Sequence, residues 1–178
     1  MTKRLASYLA AIACAAAIPS TPHAQGLLVE GYGGYQGLQS FSTSSVSNAT
    51  KGNEGTAIVG GDVLAELGGL GLGVNVDKTV TGNFGQPWAG SILAGLILPI
   101  TIIRLEVLGE LGRWGSSFGD VFNSNGATFV GVRPGVRFRF AALPVNIGAA
   151  ALIRWPTSNG DFGSPTYGFI GRLGFEIP

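Results

Sequence analysis

Eight stretches of the chain alternate between apolar and polar positions with a period of two, near residues 26–36, 56–67, 69–78, 88–98, 101–113, 128–140, 144–155 and 166–177. Successive side chains of an extended strand point to opposite faces, so each stretch predicts a strand with one greasy side and one polar side. The run FVGVRPGVRFRF at 129–140 is the sharpest case. Val130, Val132, Val136, Phe138 and Phe140 share one parity, and Arg133, Arg137 and Arg139 share the other. No window after residue 25 sustains apolar spacing at i, i+3, i+4 and i+7, so no long helix is expected.

The connections alternate in length. LGG, PIT and AALP are tight, whereas GLQSFSTSSVSNATKGNEG, KTVTGNFGQP, WGSSFGDVFNSNG and PTSNGDFGSP are long and rich in Ser, Asn and Gly. Short turns at one end, long loops at the other and an even strand count predict an all-β chain, an eight-stranded antiparallel up-and-down transmembrane β-barrel.

Sorting the strands by parity separates charge from grease. One set holds Leu27, Val29, Val59, Val63, Leu72, Val74, Ile92, Leu96, Leu105, Val107, Ile147, Ile153, Phe169 and Leu173. The other holds Glu30, Asp62, Glu66, Asp77, Arg104, Glu106, Glu110, Arg133, Arg137, Arg139, Arg154, Arg172 and Glu176, which is seven acids against six arginines. A face in open water has no need of matched signs or of arginine in place of lysine. A confined lumen does, because an unpaired buried ion costs several kcal/mol and a guanidinium can grip a carboxylate with two parallel hydrogen bonds. These thirteen residues are therefore expected to form an ion-paired network inside the barrel. Glycines of the same parity, among them Gly60, Gly131 and Gly135, leave space for the long arginines.

Tyr35, Trp88, Trp114, Trp155 and Tyr167 all fall at the long-loop ends of strands, as an interfacial aromatic girdle would, although Trp114 has the inward parity. Pro134, in mid-strand, suggests a bulge or irregular pairing.

Composition agrees with a membrane setting. The hydrophobic fraction is 46%, charged residues are only 12%, and 30 of 178 residues are glycine, which is unlike an ordinary soluble surface. Lys3 and Arg4 precede an apolar run from Leu5 to Ile18, which reads as a secretory signal peptide over residues 1–24, leaving a mature barrel over 25–178. An acylated Cys14 in a lipoprotein signal is the competing reading, with Ala11 where leucine is usual. Cleavage after Ala24 removes the only cysteine and the only histidine and leaves nine basic against ten acidic side chains. A basic nucleic-acid-binding surface, a disulfide and thiolate chemistry are thereby excluded.

The signal, the eight alternating segments, the short and long connections in turn and the final strand YGFIGRLGFEI resemble the small eight-stranded outer-membrane proteins typified by the OmpA transmembrane domain and OmpX. That family usually ends in an aromatic residue, whereas here Pro178 follows Ile177. The resemblance implies a monomeric, non-enzymatic integral barrel of the bacterial outer membrane with lipid around it, a structural or surface-interaction role, and any further ligand or protein partner met at the long loops.

Catalysis has few candidates. Acyl-transferring and proteolytic barrels are expected to use histidine, which the mature chain lacks. Glu106 and Glu110 stand about 13 Å apart along one strand, too far for a carboxylate dyad. Asp120, Asp161, Asn123 and Asn125 lack the ligand density of a calcium loop, Asn48 is ordinary loop composition, and GYGGYQG and GGLGLG open no helix that could seat a phosphate. No cofactor and no metal are expected. Two alternatives stay open: a narrow pore or lateral route for small hydrophobic molecules, as in relatives such as OmpW, and a soluble lipocalin-like barrel with the faces inverted. A charged lumen speaks against the first, and the missing disulfide and scarce lysine against the second.

Overall fold

The computed structural model describes residues 25–50, 55–81, 88–123, 126–140, 143–158 and 161–177. The predicted signal peptide and Asn125 lie outside them. Nine strands follow in order: β1 (Gln25–Leu38), β2 (Thr56–Leu67), β3 (Leu70–Thr79), β4 (Trp88–Ile100), β5 (Ile103–Gly115), β6 (Ala127–Arg139), β7 (Val145–Ser158), the two-residue β8 (Asp161–Phe162) and β9 (Thr166–Ile177). Each long strand pairs antiparallel with its neighbours, from β1 through β7 to β9. The pairing of β9 with β1 then closes the ring. The chain is thus a closed eight-stranded antiparallel barrel, with β8 an appendage on the end of β7.

Alternation dictates this closure. A sheet with one uncharged face and one face of paired ions buries its charges only by curling around them, and a closed sheet also leaves no unpaired edge. The outer face is apolar around the ring: Val59, Leu72, Ile92, Val107, Leu111, Ile147 and Leu173 are each about half exposed to the surroundings. Gly68 and Gly69, both at positive φ, make the two-residue turn between β2 and β3, a conformation that costs glycine nothing.

Three features qualify the sequence expectations. Two short helices occupy long loops, α1 (Thr43–Thr50) and α2 (Phe118–Phe122). The first has little amphipathic character and the second is barely one turn, so neither leaves a periodic trace. Pro134 makes no bulge, since Val132 faces Ile153 and Gly135 faces Ala150 in one register, but the pairing with β7 lapses at Arg133 and Pro134, the irregular pairing expected where an N–H is missing. Trp114 is not part of the girdle. It is buried inside, stacked on Phe129 with ring centroids 4.4 Å apart.

The inward parity also carries grease that the charge pattern conceals. Leu28, Leu64, Leu93, Ile97 and Leu108 form a buried apolar cluster on the β1–β5 side, packed over the bare backbone of Gly71 and Gly73. A Cβ at Gly71 would sit 2.8 Å from Ile97 Cδ1. Gly71→Val is therefore expected to lower stability by about 1–3 kcal/mol through overpacking, read from urea unfolding of the detergent-solubilised barrel.

Candidate functional site

The lumen is the one place where the sequence concentrates chemistry, and strand parity alone delivers it there. Glu30, Asp62, Glu66, Asp77, Glu106 and Glu110 are all buried, as are Arg104, Arg133, Arg137, Arg154 and Arg172. Arg139 and Glu176 lie at the short-turn mouth, where Arg139 keeps 41% of its side chain exposed.

The ions form a connected web. Arg137 reaches Glu106 at 2.6 Å, Glu30 at 3.2 Å and Glu66 at 3.3 Å. Arg172 bridges Glu106 and Glu30. Arg104 donates to Glu66 at 2.6 Å and to Glu176 at 3.1 Å, and Glu176 also meets Arg139 at 3.3 Å. Nearer the long loops, Arg154 lies 2.9 Å from both Glu110 and Asp77 and donates to Gln36, while Arg133 pairs with Asp62.

Three of these pairs, Arg133–Asp62, Arg137–Glu66 and Arg154–Asp77, join strands four places apart in the eight-strand ring, on opposite walls. Neighbour pairing on the sheet surface predicts Glu106 and Glu110 as partners for the β6 arginines. Arg137 does reach Glu106, but Glu110 is held by Arg154 of β7. Long side chains in a narrow tube span it, so the relevant neighbour is the facing wall as often as the adjacent strand.

Uncharged members complete the web. Asn75 donates to the Tyr32 hydroxyl, which donates to Asp77. The Arg133 guanidinium lies 5.9 Å from the Tyr32 ring centroid and that of Arg154 lies 4.9 Å from Phe129. Tyr32, Gln36 and Asn75 share the inward parity, a signal that a search for charges passes over. Phe129, Trp114 and Ala89 form a buried apolar layer near the long-loop end. Glycines make the room: a Cβ at Gly135 would crowd Arg172 and Glu106, and one at Gly60 would strike the Tyr32 ring.

Tyr35, Trp88, Trp155 and Tyr167 are each partly exposed. Tyr35 packs on Phe169, Tyr167 on Phe41 and Trp88 on Phe118. In the loop before β6, Asp120 accepts from the Ser116 hydroxyl at 2.7 Å and from the Ser117 amide at 2.9 Å, closing a capping box on α2. These hydrogen bonds, that of Ser116 foremost, hold the Asp120 carboxyl below its ordinary value. The spacing of Ser117 and Asp120 was the sequence signal for this helix. Among the described residues no group of three or more His, Cys, Asp or Glu side chains is placed to hold a metal ion.

The geometry defines a small closed barrel with an ion-paired interior. No family model matches the chain, and no curated protein is similar to it in sequence. In fold it is similar to Neisserial surface protein A, known from a crystal structure. The TM-score is 0.54 at 14% identity, over 85% of this chain and 96% of that one.

Asp62 and Arg133 offer the cleanest measure of what the web contributes. Asp62→Asn and Arg133→Met should each destabilise the barrel by about 3–5 kcal/mol, since each strands a buried ion, and the double variant should lose clearly less than the sum. Urea unfolding of the four proteins in one detergent gives the coupling, and simple additivity would show that the pair is not an energetic unit.

Proposed function

We propose that this chain is a non-enzymatic integral barrel of the bacterial outer membrane, monomeric, with its lumen filled by its own ion pairs. It acts as a structural element of the envelope and through whatever its long loops meet. One observation carries the reading: the half-exposed apolar side chains circle the outside, while eleven charged side chains are buried within. A soluble barrel inverts that division, since a bulk apolar exterior in water costs about 25 cal/mol per Å² of exposed apolar surface. The likeness in fold to a Neisserial surface protein supports the same class.

The filled lumen favours a structural role over a pore. A conducting barrel needs an aqueous path, and here guanidiniums reach carboxylates on the facing wall. The same arrangement supplies no activated nucleophile: every lumen carboxylate has an arginine as its neighbour.

Expressed with its first 24 residues in a Gram-negative host, the protein should fractionate with outer membranes, resist alkaline extraction and need detergent to stay monodisperse. Val132→Arg, on the outward side of mid-β6, should cost about 2–4 kcal/mol in lipid. A monodisperse protein in plain buffer, or a neutral effect of Val132→Arg, would contradict the reading.

A further inference from the structure

Helix α2 does not lie over the barrel mouth. It leans against the outer wall, where Val121 covers Gly90 of β4 and Phe118 meets Trp88 at 5.3 Å between ring centroids. Below it opens a pocket of about 490 Å³, within the range of small-ligand sites. Val76, Ile92 and Leu111 floor it from the outward faces of three strands, and Val121 and Phe122 overhang it. Gly90 permits this arrangement, because any side chain there would collide with Val121.

The pocket has a charged rim. Among the described residues every arginine and lysine belongs to the lumen web except Arg113, which lines the pocket, and Lys78, which stands outside that lining on the other side of β4, beside Trp88. Lys78 is exposed on β3 opposite Trp88, its ammonium 5.2 Å from that ring centroid. Arg113 on β5 faces Gly90 and lines the pocket. It donates through Nη1 to the Asn123 carbonyl at 2.6 Å, tying down the end of α2, and pairs with no carboxylate among the described residues. The two cations thus flank β4, one on either side, at the aromatic level of the wall. Elsewhere the described outer face carries grease and no cation.

We propose that this pocket binds one phosphate-bearing lipid, with an acyl chain on Ile92 and Leu111 beneath Val121 and Phe122 and its phosphate between Arg113 and Lys78. The apolar lining suits a hydrocarbon chain and not a polar solute. Two cations that pair with no carboxylate among the described residues, at the edge of low-dielectric surroundings, suit a phosphate, to which charge-assisted hydrogen bonds are strong. Trp88 and Phe118 lie where interfacial aromatics meet headgroups. The site rests on the membrane reading above, since only a barrel in lipid presents this wall to acyl chains.

The test is native mass spectrometry of the barrel in a neutral maltoside detergent, titrated in parallel with phosphatidylglycerol, with diacylglycerol of the same chains and with inorganic phosphate. A single retained phosphatidylglycerol, favoured about tenfold over diacylglycerol, with no phosphate adduct, is the expected result. K78Q combined with R113Q should abolish that preference, whereas K78R combined with R113K, which keeps both charges and a donor for the Asn123 carbonyl, should retain it. I92W, which fills the floor from the lipid side, should reduce retention of both lipids. Equal retention of the two lipids, inorganic phosphate binding as well as lipid, or glutamine and tryptophan variants that behave as the parent protein would overturn the site while leaving the barrel reading intact. A barrel monodisperse without detergent would overturn both.

Discussion

Everything in this barrel depends on confining charge. Eleven ionisable side chains are buried in the lumen, and a charge on any of them would cost several kcal/mol if it stood alone. The web removes that cost by giving every arginine a carboxylate, and often two. Because the partners lie on facing walls, the web also braces the wall from within: Arg133, Arg137 and Arg154 tie β6 and β7 to β2 and β3. The ladder of backbone hydrogen bonds holds neighbouring strands together, and the ions hold opposite ones.

The same constraint explains the composition. Arginine outnumbers lysine in the lumen because a planar guanidinium serves two or three carboxylates at once, as Arg137 does with Glu30, Glu66 and Glu106. Glycine is abundant because a narrow tube filled with arginines has no space for further side chains, as Gly60 and Gly135 illustrate. The apolar cluster around Leu64, Leu93 and Leu108 fills the part of the lumen that the arginines do not reach.

Strand parity made the fold and the membership of the web readable from residues alone, since a period of two places Arg133 and Glu110 on the same side whatever the register. Partnership was readable only in part, as for Arg137 and Glu106 on adjacent strands. It depends on which walls face each other and on how far a guanidinium reaches, so Glu110 went to Arg154 and not to a β6 arginine. Trp114 shows a similar limit: its position at a strand end suggested an interface, while its parity placed it beside Phe129 inside. Pro134 suggested a bulge or irregular pairing, and the ladder shows the second: the register is continuous while the pairing with β7 lapses beside the proline. The helices in the long loops are local events that the strand pattern does not register, and for α2 the Ser117–Asp120 spacing is the one local signal, which a search for alternation passes over.

The proposal that the ions inside make the lumen a strut and not a passage is the most direct to measure. The purified barrel, reconstituted in a planar bilayer at high salt, should give no stable unitary conductance. The Arg133→Ala, Arg137→Ala and Arg154→Ala triple variant, if it still closes as a barrel by circular dichroism, should acquire one. Steady single-channel steps from the unaltered protein would contradict the account, because they require a continuous water path through the layer in which these arginines meet the opposite wall.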